Sequence, residues 1–296
     1  MDNDKKITLI LGPTASGKTA LALSLFRSGG FCGIVNADAS QVYRQVSVGV
    51  ASPCEQELAI APHYLYSFLD CKIRTFNAAQ YRSMVEDLFD QLAPDDVPLF
   101  CGGSLFYVKS LFFRLQDSLP VHDKKKVERP IGFTDWEYLN LIDPVRSASI
   151  HPHDSYRIER ALTIYNSSGV LPSSVSPVFD PVFKEKVRII WVDLPDELLR
   201  KKISMRIASM LDNGWVTEVE NLIGSEFESF ARDEGALGYQ DVYRWIVDGK
   251  QENMREQLIQ TLEKKTWDYV RRQRKFWRSF KRTLEIYPEM VELVNK

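Results

Sequence analysis

Gly12-Pro13-Thr14-Ala15-Ser16-Gly17-Lys18-Thr19 has the spacing of a phosphate-binding loop, G-x-x-x-x-G-K-T. Its glycines allow close approach of the backbone to an anion. The N–H groups at the start of the following helix point at that anion, and the helix dipole favours negative charge there. Lys18 is expected to reach the outer phosphate and the Thr19 hydroxyl to ligate Mg²⁺. The motif announces a phosphorylated ligand without naming it; a glycine-rich turn with no ligand is the competing reading. Asp38, within Asn36-Ala37-Asp38-Ala39-Ser40-Gln41-Val42-Tyr43-Arg44, closes a buried run. Ligands of open α/β sheets bind beyond the carboxyl ends of strands, which puts Asp38 near the loop. It serves there as a reactive carboxylate, as a helix N-cap, or as both. Gly102-Gly103-Ser104 closes another strand, either to let backbone approach a ligand or as a tight turn. That strand lacks the terminal Asp with which P-loop hydrolases hold Mg²⁺, which counts against a motor or signalling NTPase.

The elements that must position these residues follow from hydrophobic period. Ile7–Leu11, Phe31–Ala37, Pro62–Leu69, Val97–Cys101 and Val187–Leu194 read as strands. Ala20–Phe26, Phe76–Leu92, Leu105–Phe113, Glu197–Leu211 and Trp215–Ile223 read as helices, the second of them capped by Asn77 or Thr75. The alternation predicts an α/β fold, a P-loop NTPase-like parallel sheet flanked by helices. From Leu115 the character changes. A charged turn, Asp123-Lys124-Lys125-Lys126, precedes helices at Trp136–Ile142 and Tyr156–Tyr165, the latter capped by Asp154 or Ser155. Gly169–Pro181 reads as a linker. Residues 1–114 and 184–296 are thus the expected core, with a small helical insertion domain at 115–183. The last helix, Glu252–Arg282, has a basic second half with interleaved aromatics. Tyr269, Gln273, Phe276 and Phe280 share one face that packs on the sheet. The basic face is either simply solvated or a footprint for a polyanion.

Bulk properties set limits. A chain of 296 residues holds one large or two smaller domains. The net charge of −2 means that nucleic-acid affinity must come from a local patch. Cys32, Cys54, Cys71 and Cys101 are scattered without a C-x-x-C pair, so reduced thiols are expected and a structural zinc site is not. No signal peptide or apolar run of membrane-spanning length is present, which points to the cytoplasm.

Taken in order, Gly12–Thr19, Asn36–Arg44, Pro62-His63, Gly102–Tyr107 (GGSLFY), Asp143-Pro144, Ile150–Leu162 (IHPHDSYRIERAL), Arg206 with Met210–Gly214, Ala236–Gln240 (ALGYQ) and Arg271–Trp277 (RRQRKFW) resemble the transfer RNA dimethylallyltransferases, the IPP transferase family. The resemblance implies transfer of a dimethylallyl group from dimethylallyl diphosphate to N6 of adenosine 37, in transfer RNAs reading codons that begin with U. It implies Mg²⁺ as cofactor, and the loop then binds the diphosphate leaving group rather than a nucleoside triphosphate. Asp38 is expected as the base, Ser104 as a partner of Asp38 or the phosphate, and Arg206 as a diphosphate ligand. RNA contacts are expected from Asp38, Ala39, Ser40, Gln41, Ser104, Tyr156, Arg157, Ile158, Glu159, Arg160, Ala236, Leu237, Gly238, Tyr239, Gln240, Arg271, Arg272 and Arg274. Nothing requires more than a monomer. Ser104 stands where the family has threonine, Tyr64 where it has a second histidine, Ser52 where it has lysine and Lys202 where it has arginine. A P-loop small-molecule or nucleotide kinase is the competing enzyme, with Asp38 activating a substrate hydroxyl. An RNA-binding protein with a vestigial loop is the non-catalytic alternative, and the intact Gly12, Gly17, Lys18 and Thr19 speak against it.

Overall fold

The computed structural model describes residues 6–73, 76–114, 129–233 and 235–295. Six parallel strands form the central sheet. In chain order they are β1 (Thr8–Leu11), β2 (Gly33–Asn36), β3 (His63–Tyr64), β4 (Pro98–Gly102), β7 (Val187–Trp191) and β8 (Val291–Asn295). They lie side by side as β3-β2-β4-β1-β7-β8. A separate antiparallel pair joins β5 (Phe113–Arg114) to β6 (Val178–Phe179). The phosphate loop therefore leaves β1 between β4 and β7, in the middle of the sheet.

Strands buried on both faces explain the continuous apolar runs. Leu9, Leu11, Val35 and Phe100 face one layer, with α3 (Ala78–Gln91), α4 (Leu105–Phe112) and the second half of α12 (Arg255–Leu284). Ile10, Ile34, Leu99 and Cys101 face the other, with α1 (Lys18–Arg27). Trp191 of β7 stacks on Trp277 of α12, centroids 4.7 Å apart. A second lobe gathers α8 (Asp196–Met210), α9 (Val216–Leu222), α10 (Glu228–Arg232) and α11 (Tyr239–Val247) around the first half of α12. The short helix α2 (Glu55–Leu58) lies between β2 and β3 in the chain. Among the described residues, no helix is long and apolar enough to cross a membrane.

Helices α5 (Asp135–Ile142), α6 (Pro144–Ala148) and α7 (Ser155–Ser168) enclose a small core of their own, built on Leu139, Ile150, Ile158, Ala161 and Leu162. Asp154 caps α7 through the Arg157 N–H, and Gly169 ends it in a left-handed conformation. Asn77 caps α3; Thr75 and the Asp123–Lys126 turn lie outside the described residues. The expected strand at Pro62–Leu69 stops at Tyr64, because Leu65 (φ 61°) and Ser67 (φ 48°) turn the chain.

Asp143, only 1% exposed, accepts the Arg146 N–H at 2.9 Å and the Ser173 N–H at 2.7 Å. Burial pushes its carboxyl up, but the hydrogen bonds from Ser173 and Arg146 outweigh that and hold it below the ordinary value. A carboxyl depressed in the folded state contributes stability above its unfolded pKa and loses it as pH falls through the folded one. Asp143→Asn should cost about 1–3 kcal/mol near neutral pH and flatten the acid side of the stability curve. Thermal unfolding from neutral to acid pH measures both; an unchanged melting temperature at neutral pH contradicts the assignment.

Candidate active site

Beyond the carboxyl ends of β1, β2 and β4 opens a cleft of about 1110 Å³, lined by Lys18, Thr19, Asp38, Ser104 and Arg206 among others. The loop is shaped by three special positions. A Cβ on Gly12 would stand 2.1 Å from the Val192 carbonyl oxygen, so only glycine fits there. Ala15 (φ 62°) and Gly17 (φ 95°) adopt left-handed conformations that turn the loop into the helix start. Lys18 Nζ folds back and donates to the Pro13 carbonyl at 2.7 Å.

Asp38 is held by backbone rather than by a helix. Asn36, fully buried, accepts the Asp38 N–H at 2.7 Å and donates to the Asp38 and Leu65 carbonyls. The Tyr81 hydroxyl donates to the Asn36 carbonyl at 2.7 Å, fixing the end of β2. No helix starts at Asp38; its Oδ1 instead accepts the Ser40 N–H at 3.0 Å and the Ser40 hydroxyl at 2.7 Å. Its Oδ2 lies 3.7 Å from where a Cβ of Gly103 would stand, so glycine keeps that side open. Ser104 Oγ accepts the Ala39 N–H at 2.8 Å, tying the β4–α4 turn to the Asp38 turn.

Arg206 enters from α8, which turns Ile203, Arg206, Ile207 and Met210 toward the cleft, one helical face. Burial lowers the pKa of Arg206, opposed by Asp38 and Glu57. Burial likewise lowers Lys18, against the opposing pull of Cys101 and Asp38, and Arg206 adds to the lowering. Both cations thus lack full compensation, and an anion entering the cleft supplies it. The Cys101 thiol is pushed up to about 11 by burial, with Lys18 opposing, so it stays protonated at neutral pH.

The far wall is braced by Glu218 of α9. Its carboxylate accepts the N–H groups of Ser47, Val48 and Gly49 and the Tyr239 hydroxyl. Gln41 Nε2 donates to the Val50 and Ala51 carbonyls of the same loop. The kink at Asn213-Gly214 (φ 114° at Gly214) carries Trp215 beneath it, where a Cβ on Gly49 would stand 2.1 Å from Trp215 Nε1.

Several residues expected at the RNA have their side chains engaged within the fold. Tyr239 is fully buried and Ile158 sits in the small core, so neither side chain is open to RNA. Arg274 is engaged within the fold, donating to Asp193, Asp196 and the Leu194 carbonyl. Gly238 is buried with φ 86° as the N-cap of α11, and Gln240 donates to the Arg232 carbonyl. Ala39, Ser40, Gln41, Ala236, Leu237 and Arg272 do line the cleft. Tyr156, Arg157, Glu159 and Arg271 are exposed away from the core, and Arg160 is half-buried. Glu218, Trp215, Tyr269 and Gln273 are the functional-site residues that motif reading did not assign. For Gln273 a signal existed: a neutral polar residue on the apolar face of a basic helix.

Among the described residues no group of three or more His, Cys, Asp or Glu side chains forms a metal-sized cluster. Thr19 is nonetheless an exposed residue lining the cleft beside the loop, and its hydroxyl is a hard oxygen donor. Mg²⁺ bound by one or two protein oxygens draws the rest of its shell from phosphate and water, so the donor set fits an ion carried in with a phosphorylated ligand.

The IPP transferase family model matches residues 41–280. The tRNA dimethylallyltransferase of Cupriavidus necator is 36% identical over 231 residues, covering 73% of this chain and 71% of that one. Its counterpart from Sorangium cellulosum is 32% identical over 285 residues, covering 92% and 88%. A tRNA Δ2-isopentenylpyrophosphate transferase structure from Staphylococcus epidermidis superposes with a TM-score of 0.61 at 26% identity, over 98% of this chain and 93% of that one. The structure of a eukaryotic dimethylallyltransferase acting on tRNA shares the fold, with a TM-score of 0.73 at 20% identity over 99% of this chain and 74% of that one.

Replacing Glu218 by Gln puts an amide donor against N–H donors. Glu218→Gln should destabilise the protein by about 1–3 kcal/mol and raise the proteolytic sensitivity of the 47–51 loop. Denaturant melts and limited proteolysis measure this; wild-type values in both remove Glu218 as the brace.

Proposed function

The chain belongs to the IPP transferase family, and from that premise we propose that it transfers a dimethylallyl group from dimethylallyl diphosphate to N6 of adenosine 37 in transfer RNAs reading codons that begin with U. The observation that carries this reading is one cleft in which the phosphate loop, Lys18 and Arg206 stand opposite Asp38. The N6 lone pair is delocalised into the adenine ring and is a weak nucleophile. As it forms the C–N bond, the C–O electron pair leaves with diphosphate and Asp38 takes the N6 proton. Loop N–H groups, Lys18 and Arg206 stabilise the charge that builds on the leaving group. Thr19 would hold Mg²⁺, which neutralises part of that charge when bound.

A base stacked in an anticodon loop must be extruded to reach Asp38. Ala39, Ser40 and Gln41 on one wall and Ala236 and Leu237 on the other frame its place. Arg271, Lys275, Arg278 and Arg282 are exposed at helical spacing along α12, and Tyr156 and Arg157 are exposed on the insertion. A kinase of small molecules leaves these surfaces without a role. A single chain carries every group named, consistent with a monomer acting in the cytoplasm.

Incubation with unmodified transfer RNA, labelled dimethylallyl diphosphate and Mg²⁺ should label adenosine 37. Phosphorylation of a small acceptor from ATP, with no label in RNA, overturns the reading. Asp38→Asn should lower the rate by about 10²-fold or more with RNA affinity retained; near-normal turnover removes Asp38 as the base. Reversing charge at Arg271, Lys275 and Arg278 should weaken RNA binding and reduce its salt dependence by about two to three in slope. Unchanged affinity at low salt makes that face merely solvated.

A further inference from the structure

Gln273 is 5% exposed and is the neutral residue in a run of cations, Arg271-Arg272-Gln273-Arg274-Lys275. Both ends of its amide are committed across the fold. Oε1 accepts the Thr14 N–H of the phosphate loop at 3.0 Å. Nε2 donates to the Gly103 carbonyl of the β4–α4 turn at 3.0 Å. A Cβ on Gly103 would stand 2.4 Å from Nε2, so the second glycine of that turn makes room for this amide. Ser104 follows Gly103 directly in that turn, and Tyr269, one helical turn before Gln273, lines the same cleft as Ser104. Ser104 in turn accepts the Ala39 N–H beside Asp38.

We infer that Gln273 is a positioning residue: from the C-terminal helix it sets the phosphate loop and the β4–α4 turn in register with each other and, through the Gly103-Ser104 turn, with Asp38. The inference deepens the proposed reaction and rests on it for the identity of the bound diphosphate. The geometry has a direct consequence for the loop. Thr14 N–H is turned toward Gln273, which fixes the first turn from which the N–H groups at the start of α1 are aimed. Without the amide, a buried donor and a buried acceptor both lose their partner, and the loop relaxes to satisfy them. The same helix carries the outward basic residues on its opposite side, so the cradle for diphosphate is built on the element expected to meet RNA. Gln273 itself is too buried to touch RNA, which separates its effect from that of its charged neighbours.

The test compares wild type with Gln273→Met, which keeps length but makes neither bond, and Gln273→Asn, which keeps an amide too short to span both partners. Calorimetry measures the affinity for inorganic diphosphate with Mg²⁺, filter binding measures affinity for transfer RNA, and steady-state kinetics gives kcat and KM for dimethylallyl diphosphate. Gln273→Met should weaken diphosphate binding about tenfold or more, raise KM and lower kcat, with RNA affinity within about twofold of wild type. Gln273→Asn should fall between. Wild-type diphosphate affinity and kinetics in Gln273→Met overturn the inference, as does an equal loss of RNA affinity, which would mark a general loss of structure. Should Gln273→Met fail to fold, Gln273→Asn decides: folded with wild-type diphosphate affinity and KM, it overturns the inference, and folded with both impaired it upholds it. Diphosphate binding decides the role of Gln273 even if the wild-type chain transfers nothing to RNA, so the two readings fail separately.

Discussion

The cleft depends on how closely backbones approach at the carboxyl ends of the central strands. At its last paired residue, Leu11, β1 accepts the N–H of Val192, one residue past β7, at 2.7 Å. β2 and β4 likewise continue, with Ala37 N–H donating to Cys101 O at 2.9 Å and Ser104 N–H to Ala37 O at 3.0 Å. Gly12 and Gly102 sit where those extensions cross, and a Cβ on either would meet a neighbouring carbonyl oxygen at 2.1 Å. The parallel pairing thereby runs on past the strand ends, one residue beyond β2 and β7 and two beyond β4. That extra step brings a phosphate loop, a carboxylate and a serine hydroxyl from three separate parts of the chain to one cleft. A side chain at either glycine would push two strand ends apart, and every distance across the site with them.

Charge then distinguishes residues that belong to the site from those that belong to the scaffold. Arg206, which lines the cleft, and Arg274, which does not, are the same residue type. Arg274 has its guanidinium on Asp193, Asp196 and a carbonyl, and those partners raise its pKa. Arg206 has Asp38 and Glu57 nearby, but burial still wins and its pKa falls. A cation satisfied by its own fold is structural, whereas a cation left short of negative charge is poised for an anionic ligand. Lys18 falls in the second group, its ammonium resting on the Pro13 carbonyl. A neutral carbonyl is a weaker partner for the ammonium than a phosphate oxygen, which adds the attraction of a full opposite charge.

What was legible in the sequence was local. The glycine spacing of the loop, the strand–helix alternation and the Asn77 and Asp154 caps are set by neighbouring residues and appear where expected. Of the expected inward stripe, Gln273 and Phe280 are buried and Phe276 half-buried, whereas Tyr269 turns to the cleft. What escaped was non-local. The edge strand β8 exists because Val187–Trp191 offers it a parallel partner about a hundred residues away. Helices α2, α6 and α10 span only four or five residues each, too short for a period to register. Glu218 reads as one more surface charge until the 47–49 backbone closes over it. Tyr239 and Arg274 were matched to RNA contact by motif, yet burial and ion pairs spend them inside the fold.

The departures from the family pattern fall unevenly across the cleft. Ser104 keeps the hydroxyl oxygen that receives the Ala39 N–H, so losing threonine's methyl leaves the link to the Asp38 turn intact. Ser52 is different. It lies in the cleft wall with a buried hydroxyl that makes no hydrogen bond among the described residues, at the position where the resemblance leads to the expectation of a lysine. Residues 47–53 carry no cation, whereas Lys18 and Arg206 line the cleft at the loop and Arg272 lines it from α12, exposed beside Tyr269. Lys265, also on α12, is paired with Asp241. The positive charge along the cleft thus lies with the loop, α8 and the long C-terminal helix rather than with the segment after Val50. The same helix, through its inward face, holds the phosphate loop. One element thus carries both an outward basic face and an inward amide on the phosphate loop, and Trp277 and Phe280 pack it on the sheet, so a shift of that helix would move both together.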